Sequence, residues 1–358
     1  MNKIEIIDMR KQKEFSKITF SNFKKTEVKK VLLKCLNKGE IEPSCYWAAE
    51  FICAGHFIDL WEIYIEFISK YIHLGNPKLP IYINLRFDNF KDILINGYLG
   101  NEIRLRNNDK IRKLFAEITT ILCLSQKRHS LSPIKIEKTE FQMTNLTSHL
   151  KAKKINYAKG IFRKEDPKEL FIAINELGFH LSSDSRNSLL ACWWIEWIIE
   201  FNCICRKENK TCKVDRRPNM PVQEKMQRDI IWIVWELLLH YSHKKEKICH
   251  TIIEALLKIF CIRFTSGSNK KRRYILYFAV SLITENINYG IKVFDSKEKI
   301  ENVIKQIDVI YKQIKKNEKA PKDSYLFNNS IVGGRKNLES TLNKIEKLNS
   351  LMNILPRK

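Results

Sequence analysis

Phe57-Ile58-Asp59-Leu60-Trp61-Glu62-Ile63-Tyr64-Ile65-Glu66-Phe67-Ile68-Ser69-Lys70-Tyr71-Ile72 is the stretch that decides the fold class. Phe57, Leu60, Trp61, Tyr64, Ile65, Ile68 and Ile72 return at steps of three and four, while Asp59, Glu62 and Glu66 form the opposite stripe. That period belongs to an amphipathic α-helix and not to the two-residue alternation of a strand. The same pattern recurs at residues 297–316, where Ile300, Val303, Ile304, Ile307, Ile310, Tyr311 and Ile314 share one face.

Working outward, residues 22–36 read as a basic helix ending near Gly39. Residues 45–54 read as an apolar helix closed by Gly55, with Pro43 near its first turn. Pro77 and Pro80 must break the quoted helix, since proline cannot continue it. Residues 81–90 fit a short strand or another helix, and 109–124 a helix. Residues 125–150 are polar, contain Pro133 and lack a period, which predicts a linker. A basic stretch follows: Lys151, Lys153, Lys154, Lys159, Arg163 and Lys164. Pro167 is expected to open a helix with Asp166 as its N-cap. Further helices fit 188–205, 223–241, 246–263, 272–286, 297–316 and 336–352, with a loop at 325–334.

The expectation is a mainly α protein of two packed helical halves, 1–124 and 166–358, joined by a polar and basic linker at 125–165, with few or no short strands. Cys45-Tyr46-Trp47 and Cys192-Trp193-Trp194 each open an apolar helix and each precede a glutamate, Glu50 and Glu196. A degenerate helical duplication would explain that echo, and so would chance repetition.

The charge is strongly basic, with 64 Lys and Arg against 40 Asp and Glu and a formal net charge of +24. Such an excess attracts polyanions. The competing reading is codon bias in a chain rich in Lys, Ile and Asn. Ten cysteines, several in apolar runs, fit buried free thiols in a reducing, intracellular compartment. The most apolar run, residues 230–239, is interrupted by Glu236 and too short to span a bilayer.

Phosphate-binding and catalytic signatures of the Walker, dinucleotide, zincin and nucleophile-elbow kinds do not occur. Cys203, Cys205 and Cys212 have poor spacing for zinc, so no metal and no cofactor are expected. Cys53 with His56, and Glu196 with Glu200, admit catalytic readings but suit structural ones better. Trp193, Trp194, Trp197, Trp232 and Trp235 have core spacing rather than that of a base-stacking platform.

Two basic clusters are the candidate site. Lys270, Lys271, Arg272 and Arg273 stand at a helix N-terminus, where the macrodipole disfavours cations, so they ask for an anionic partner or a nearby acidic face. Arg216 and Arg217 form the second cluster. Phosphate contact predicts that replacing 270–273 by Ala lowers the salt slope of binding by up to about four with little change in stability.

Several segments resemble an uncharacterised protein family of the nucleocytoplasmic large DNA viruses. They are Cys45-Tyr46-Trp47-Ala48-Ala49-Glu50, Asp59-Leu60-Trp61-Glu62 and His73-Leu74-Gly75-Asn76-Pro77-Lys78-Leu79-Pro80 in the first half. In the second half they are Asp166-Pro167-Lys168-Glu169-Leu170-Phe171-Ile172-Ala173-Ile174-Asn175, Trp194-Ile195-Glu196-Trp197 and Pro321-Lys322-Asp323-Ser324-Tyr325-Leu326-Phe327. The resemblance implies a setting, the host cytoplasm, virus factory or virion, and no mechanism. Residues 47–80 are also similar in pattern to the helical collar of clamp-loader-type ATPases, which would imply an oligomer without a motor. The function expected is a non-enzymatic basic scaffold contacting DNA or RNA without sequence preference. The alternatives are a minor capsid or other virion protein meeting acidic viral proteins, and an enzyme with an unfamiliar site.

Overall fold

The computed structural model describes residues 4–210 and 212–319. Among these, α-helices dominate, and the strand content is an isolated bridge between Ile18 and Lys24. The expected helix at 336–352, the loop at 325–334 and the resembling segment at 321–327 lie outside the described residues.

The helices are α1 (Lys25–Lys38), α2 (Ile41–Cys53), α3 (Phe57–Phe67), α4 (Leu79–Ile95) and α5 (Asp109–Leu124) in the first half. They are α6 (Leu170–Leu181), α7 (Ser188–Lys207), α8 (Ile231–Ser242), α9 (Lys247–Phe260), α10 (Arg273–Thr284) and α11 (Lys297–Lys315) in the second. Their ends follow local chemistry. The side chains of Asn108, Asn187 and Ser296 each accept the backbone N–H three residues on, capping α5, α7 and α11. Gly39 closes α1 in the left-handed region, φ +76°, and its N–H reaches the Cys35 and Leu36 carbonyls. The open choice at 81–90 is resolved as helix, because Pro80 falls in the first turn of α4, where its missing N–H costs no bond.

Residues 4–6 and 11–317 form one compact unit; residues 7–10 with 318–319 belong to a second, in which Ile7 N donates to Glu318 and Lys319 N to Asp8. In the large unit the two helical halves interlock: α4 packs on α9, and α11 packs on α2 and α5. A single core runs through it, with Trp61 enclosed by Phe87, Phe90 and Phe115. α7 is long and apolar enough in composition to cross a membrane, yet it is mostly buried against α6 and α10 and carries two paired glutamates. The helical echo holds for the cysteines, both buried in the fifth position of α2 and α7. It fails for the glutamates, which follow five and four residues later and so sit about 100° apart on the helical wheel.

The segment 125–165, expected as a linker, is instead laid against this body. Ser130 N donates to Lys70 O, Trp197 Nε1 to Glu140 O, and Phe141 stacks on Trp197. Two glycines make room for it. A Cβ on Gly75 would stand 2.3 Å from Gln126 O, and one on Gly178 2.9 Å from Tyr157 O. Any side chain at either position would lift the segment off its bed.

Candidate polyanion-binding surface

The run 270–273 finds its anions inside the chain. Lys270 Nζ lies 3.3 Å from Glu200, Lys271 Nζ 3.2 Å from Glu62, and Arg273 3.1 Å from Glu196. Arg272 is buried, pairs with Glu62, and donates to Phe260 O. The acidic face that the helix N-terminus required is therefore the polar stripe of α3 together with α7. Burial would raise the Glu62 carboxyl, but the Arg272 guanidinium and Lys271 hold it below the ordinary range. Glu196 is shifted the other way: burial pushes it up, against Arg273 and the Tyr277 hydroxyl. Arg272 is thus a correction to the expected site, since its guanidinium is buried and committed to Glu62 and the Phe260 carbonyl, out of reach of a phosphate. Lys270 and Lys271 stay exposed, at 60% each, but paired.

Arg217 is a second correction. Its side chain is 0% exposed, and its guanidinium holds Asp166 through two bonds of 2.7 and 2.6 Å. Nε donates to Glu236 at 2.9 Å, and the remaining protons go to Asp215 O and Ile161 O. Asp166 therefore does not cap a helix; α6 begins at Leu170. Its carboxylate also accepts the N–H of Arg163 and Asp215. Burial alone would raise this carboxyl, yet the guanidinium and the two amides hold it below the usual range. Arg163 joins at 2.6 Å from Glu236, which explains the acid inside the apolar run 230–239. The residues expected to be helical before 231 instead pair with the loop that carries Arg217, as Arg217 N donates to Gln227 O and Val214 N to Arg228 O, and Asp229 accepts the N–H of Ile231 where α8 begins. Arg216 remains at the surface, 2.7 Å from Glu224.

Many exposed lysines have no acidic partner among the described residues, and four of them lie together in one short segment. Lys151, Lys153, Lys154 and Lys159 are exposed and make no ion pair among the described residues. Their backbone is held firmly. Buried Glu176 accepts the N–H of Lys151 and Ala152, each at 3.0 Å. Asn175 donates to Lys154 O at 2.8 Å and accepts Tyr157 N at 3.1 Å. Tyr241 OH donates to Tyr157 O. A strap of lysines is thus fixed at its backbone and free at its ammonium ends. Two polar residues inside the apolar helix α6, Asn175 and Glu176, were the signal for it, because buried polar groups require partners.

The remaining chemistry-bearing groups are structural in geometry. His56 Nε2–H donates to Ile18 O at 2.9 Å, with Asp59 3.7 Å from Nδ1, while the Cys53 thiol is buried and pushed up by that burial. Ser242, His250 and Glu254 form a chain of contacts, 2.7 and 3.4 Å. Ser242 is fully buried and gives its proton to Leu239 O, so His250 Nδ1 donates to the hydroxyl rather than activating it. Among the described residues no three His, Cys, Asp or Glu side chains gather as metal ligands. Trp194, Trp232 and Trp235 are wholly buried, Trp197 nearly so, and Trp193 half-buried with His149 stacked 3.8 Å away. Comparison with protein-family models, curated proteins and solved structures finds no match to this chain.

Proposed function

We propose that this protein is a non-enzymatic helical scaffold that holds DNA or RNA through its phosphates, without sequence preference. The observation that supports the reading is the strap: four exposed lysines without carboxylate partners, carried on a backbone anchored by Glu176 and Asn175. A flexible basic tail loses conformational freedom when it binds; a fixed strap has already lost most of its backbone share. Lysine suits this task, because a compact ammonium on a mobile stem meets phosphates in many positions and reads no base. The large DNA virus implied by the resembling segments is the setting in which such a scaffold would serve replication, transcription or packaging.

The test is a salt titration of binding to one duplex and one single strand. Replacing Lys151, Lys153, Lys154 and Lys159 by Ala should lower the slope of log affinity against log salt by up to about 3.6 on duplex DNA, at about 0.9 per phosphate neutralised. Thermal stability should hardly move, since these side chains are exposed and unpaired. Equal slopes for the two proteins would refute the strap. Absence of wild-type binding at about 50 mM salt would refute nucleic-acid contact and turn the reading towards a virion structural role.

A further inference from the structure

Beyond the strap, a cleft of about 290 Å³ opens at the C-terminal end of α7, against the loop that leads into α8. Arg206, Lys213, Lys225 and Arg228 converge on it, with Asn202 and Ser266 among its lining. We propose that this cleft is a phosphate-binding site that takes a phosphate monoester dianion. The proposal deepens the phosphate-contact reading by naming a concave subsite, but it stands on residues other than the strap.

The lining is a donor set. Lys213 and Lys225 are exposed and have no ion pair among the described residues. Asn202 is 5% exposed, faces the cleft, and has no side-chain hydrogen bond among the described residues. Its amide is free to donate to a group that enters the cleft. The one carboxylate in the lining, Asp229, accepts from Asn269 Nδ2 at 2.8 Å and Ile231 N at 3.2 Å and pairs with Arg206 at 3.3 Å. It holds the Arg206 guanidinium in place and offsets its charge. The Cys212 thiol in the wall is pushed up to about 12 by burial and by the neighbouring Cys205, so it stays uncharged at neutral pH.

Charge balance favours the dianion. Lys210 at the rim pairs with Glu208 at 2.7 Å, and Arg228 is 3.8 Å from Glu165. Asp229 pairs with Arg206, so of the five cations in the lining Lys213 and Lys225 are the two without an ion pair among the described residues, with Glu169 a further carboxylate near Cys212. A phosphate monoester carries close to two negative charges at neutral pH and offers three acceptor oxygens. A mid-strand phosphodiester carries one charge and would leave the second lysine unanswered. The volume suits a phosphate with its attached sugar rather than a duplex.

The experiment is calorimetric titration with inorganic phosphate, at constant ionic strength and with chloride as the balancing ion. Wild type is compared with Lys213→Ala/Lys225→Ala, with Asn202→Ala, and with the fourfold strap variant. The expected result is saturable binding to wild type, weakened about 10-fold or more when the two lysines are removed, because hydrogen bonds to charged groups contribute at that level. Asn202→Ala should weaken it too, and the strap variant should bind phosphate as wild type does. A 5′-phosphorylated oligonucleotide competing better than its 5′-hydroxyl twin would place the monoester on a strand end. Equal competition by the twins, with phosphate binding intact, would place it on a small molecule. Phosphate binding unchanged in the double-lysine variant, or no saturable heat from wild type at about 10 mM phosphate, would overturn the site. Loss of phosphate binding in the strap variant with the double-lysine variant unaffected would overturn it as well, assigning the phosphate to the strap.

Discussion

Arg217→Ala separates a phosphate-contacting arginine from a structural one. The wild-type side chain is fully buried and spends its guanidinium on Asp166, Glu236 and two backbone carbonyls. Truncation strands Asp166, whose side chain is also 0% exposed, with only the N–H groups of Arg163 and Asp215 to hold its charge. Breaking a buried pair by removing one partner costs about 3–5 kcal/mol. In a folded unit of this size that loss lowers the melting temperature by roughly 5–8 °C.

The pH dependence carries a sign. In the wild type the folded-state pKa of Asp166 lies below its unfolded value, so its contribution is present above the unfolded pKa and is lost as pH falls through the folded one. Without Arg217, burial dominates, the folded pKa rises above the unfolded one, and stability is lost as pH rises through it. The gap between the two proteins should therefore be widest at neutral pH and should close in acid, as the stranded carboxylate takes a proton. Adding Asp166→Asn to the variant should return part of the loss at pH 7. Urea denaturation at pH 7 and about pH 4, with a salt titration of nucleic-acid binding, measures all of this. A loss under about 1 kcal/mol at pH 7 together with a slope lowered by about 0.9 would refute the structural assignment and make Arg217 a phosphate ligand.

The basic run should divide in the same way. Lys270→Ala/Lys271→Ala removes two surface pairs and should cost at most about 1 kcal/mol. Arg272→Ala leaves Glu62 and the Phe260 carbonyl without their buried donor and should cost about 3 kcal/mol or more, which equilibrium unfolding reads directly. Trp235→Ala should cost roughly 3–5 kcal/mol, because the ring is wholly buried against Phe260; unchanged unfolding with lost binding would make it a stacking residue.

Helix positions were legible where a capping residue and an apolar stripe coincide. The span expected at 109–124 is α5, and that at 297–316 matches α11 to one residue, each opened by a side-chain cap. Residues 81–90 stayed ambiguous because Leu79, Ile81 and Ile83 alternate as a strand would; Pro80 suits the first turn of a helix, and packing on α9 and α5 holds the segment as one. The start of α8 was misread for an electrostatic reason. Residues 214–230 carry few apolar side chains, and their backbone serves the Arg217 network and Gln227, whose amide lies near the carbonyls of Pro218 and Met220. The linker was misread because docking at Gly75 and Gly178 leaves no periodic trace in the docked strand itself.

The candidate site was hardest to read because a cation's availability depends on carboxylates remote in sequence. Glu62, Glu196 and Glu200 neutralise residues 270–273 across separations of 70 residues and more. Arg163 and Arg217 likewise go to Glu236 and Asp166. One trace of this lies in the sequence: an acid inside an apolar helix, as Glu196 and Glu236 are, has to recruit a cation, since an unpaired buried charge is not tolerated. Arginine is the cation recruited, because its planar fork satisfies several acceptors at once and sheds water more readily than an ammonium. Lysines such as Lys151, Lys154, Lys213 and Lys225 are then left at the surface with their charge unspent. The partition by chemistry moves the proposed phosphate contact away from the densest basic run, Lys270 to Arg273, and onto lysines whose lack of a carboxylate partner no local pattern shows.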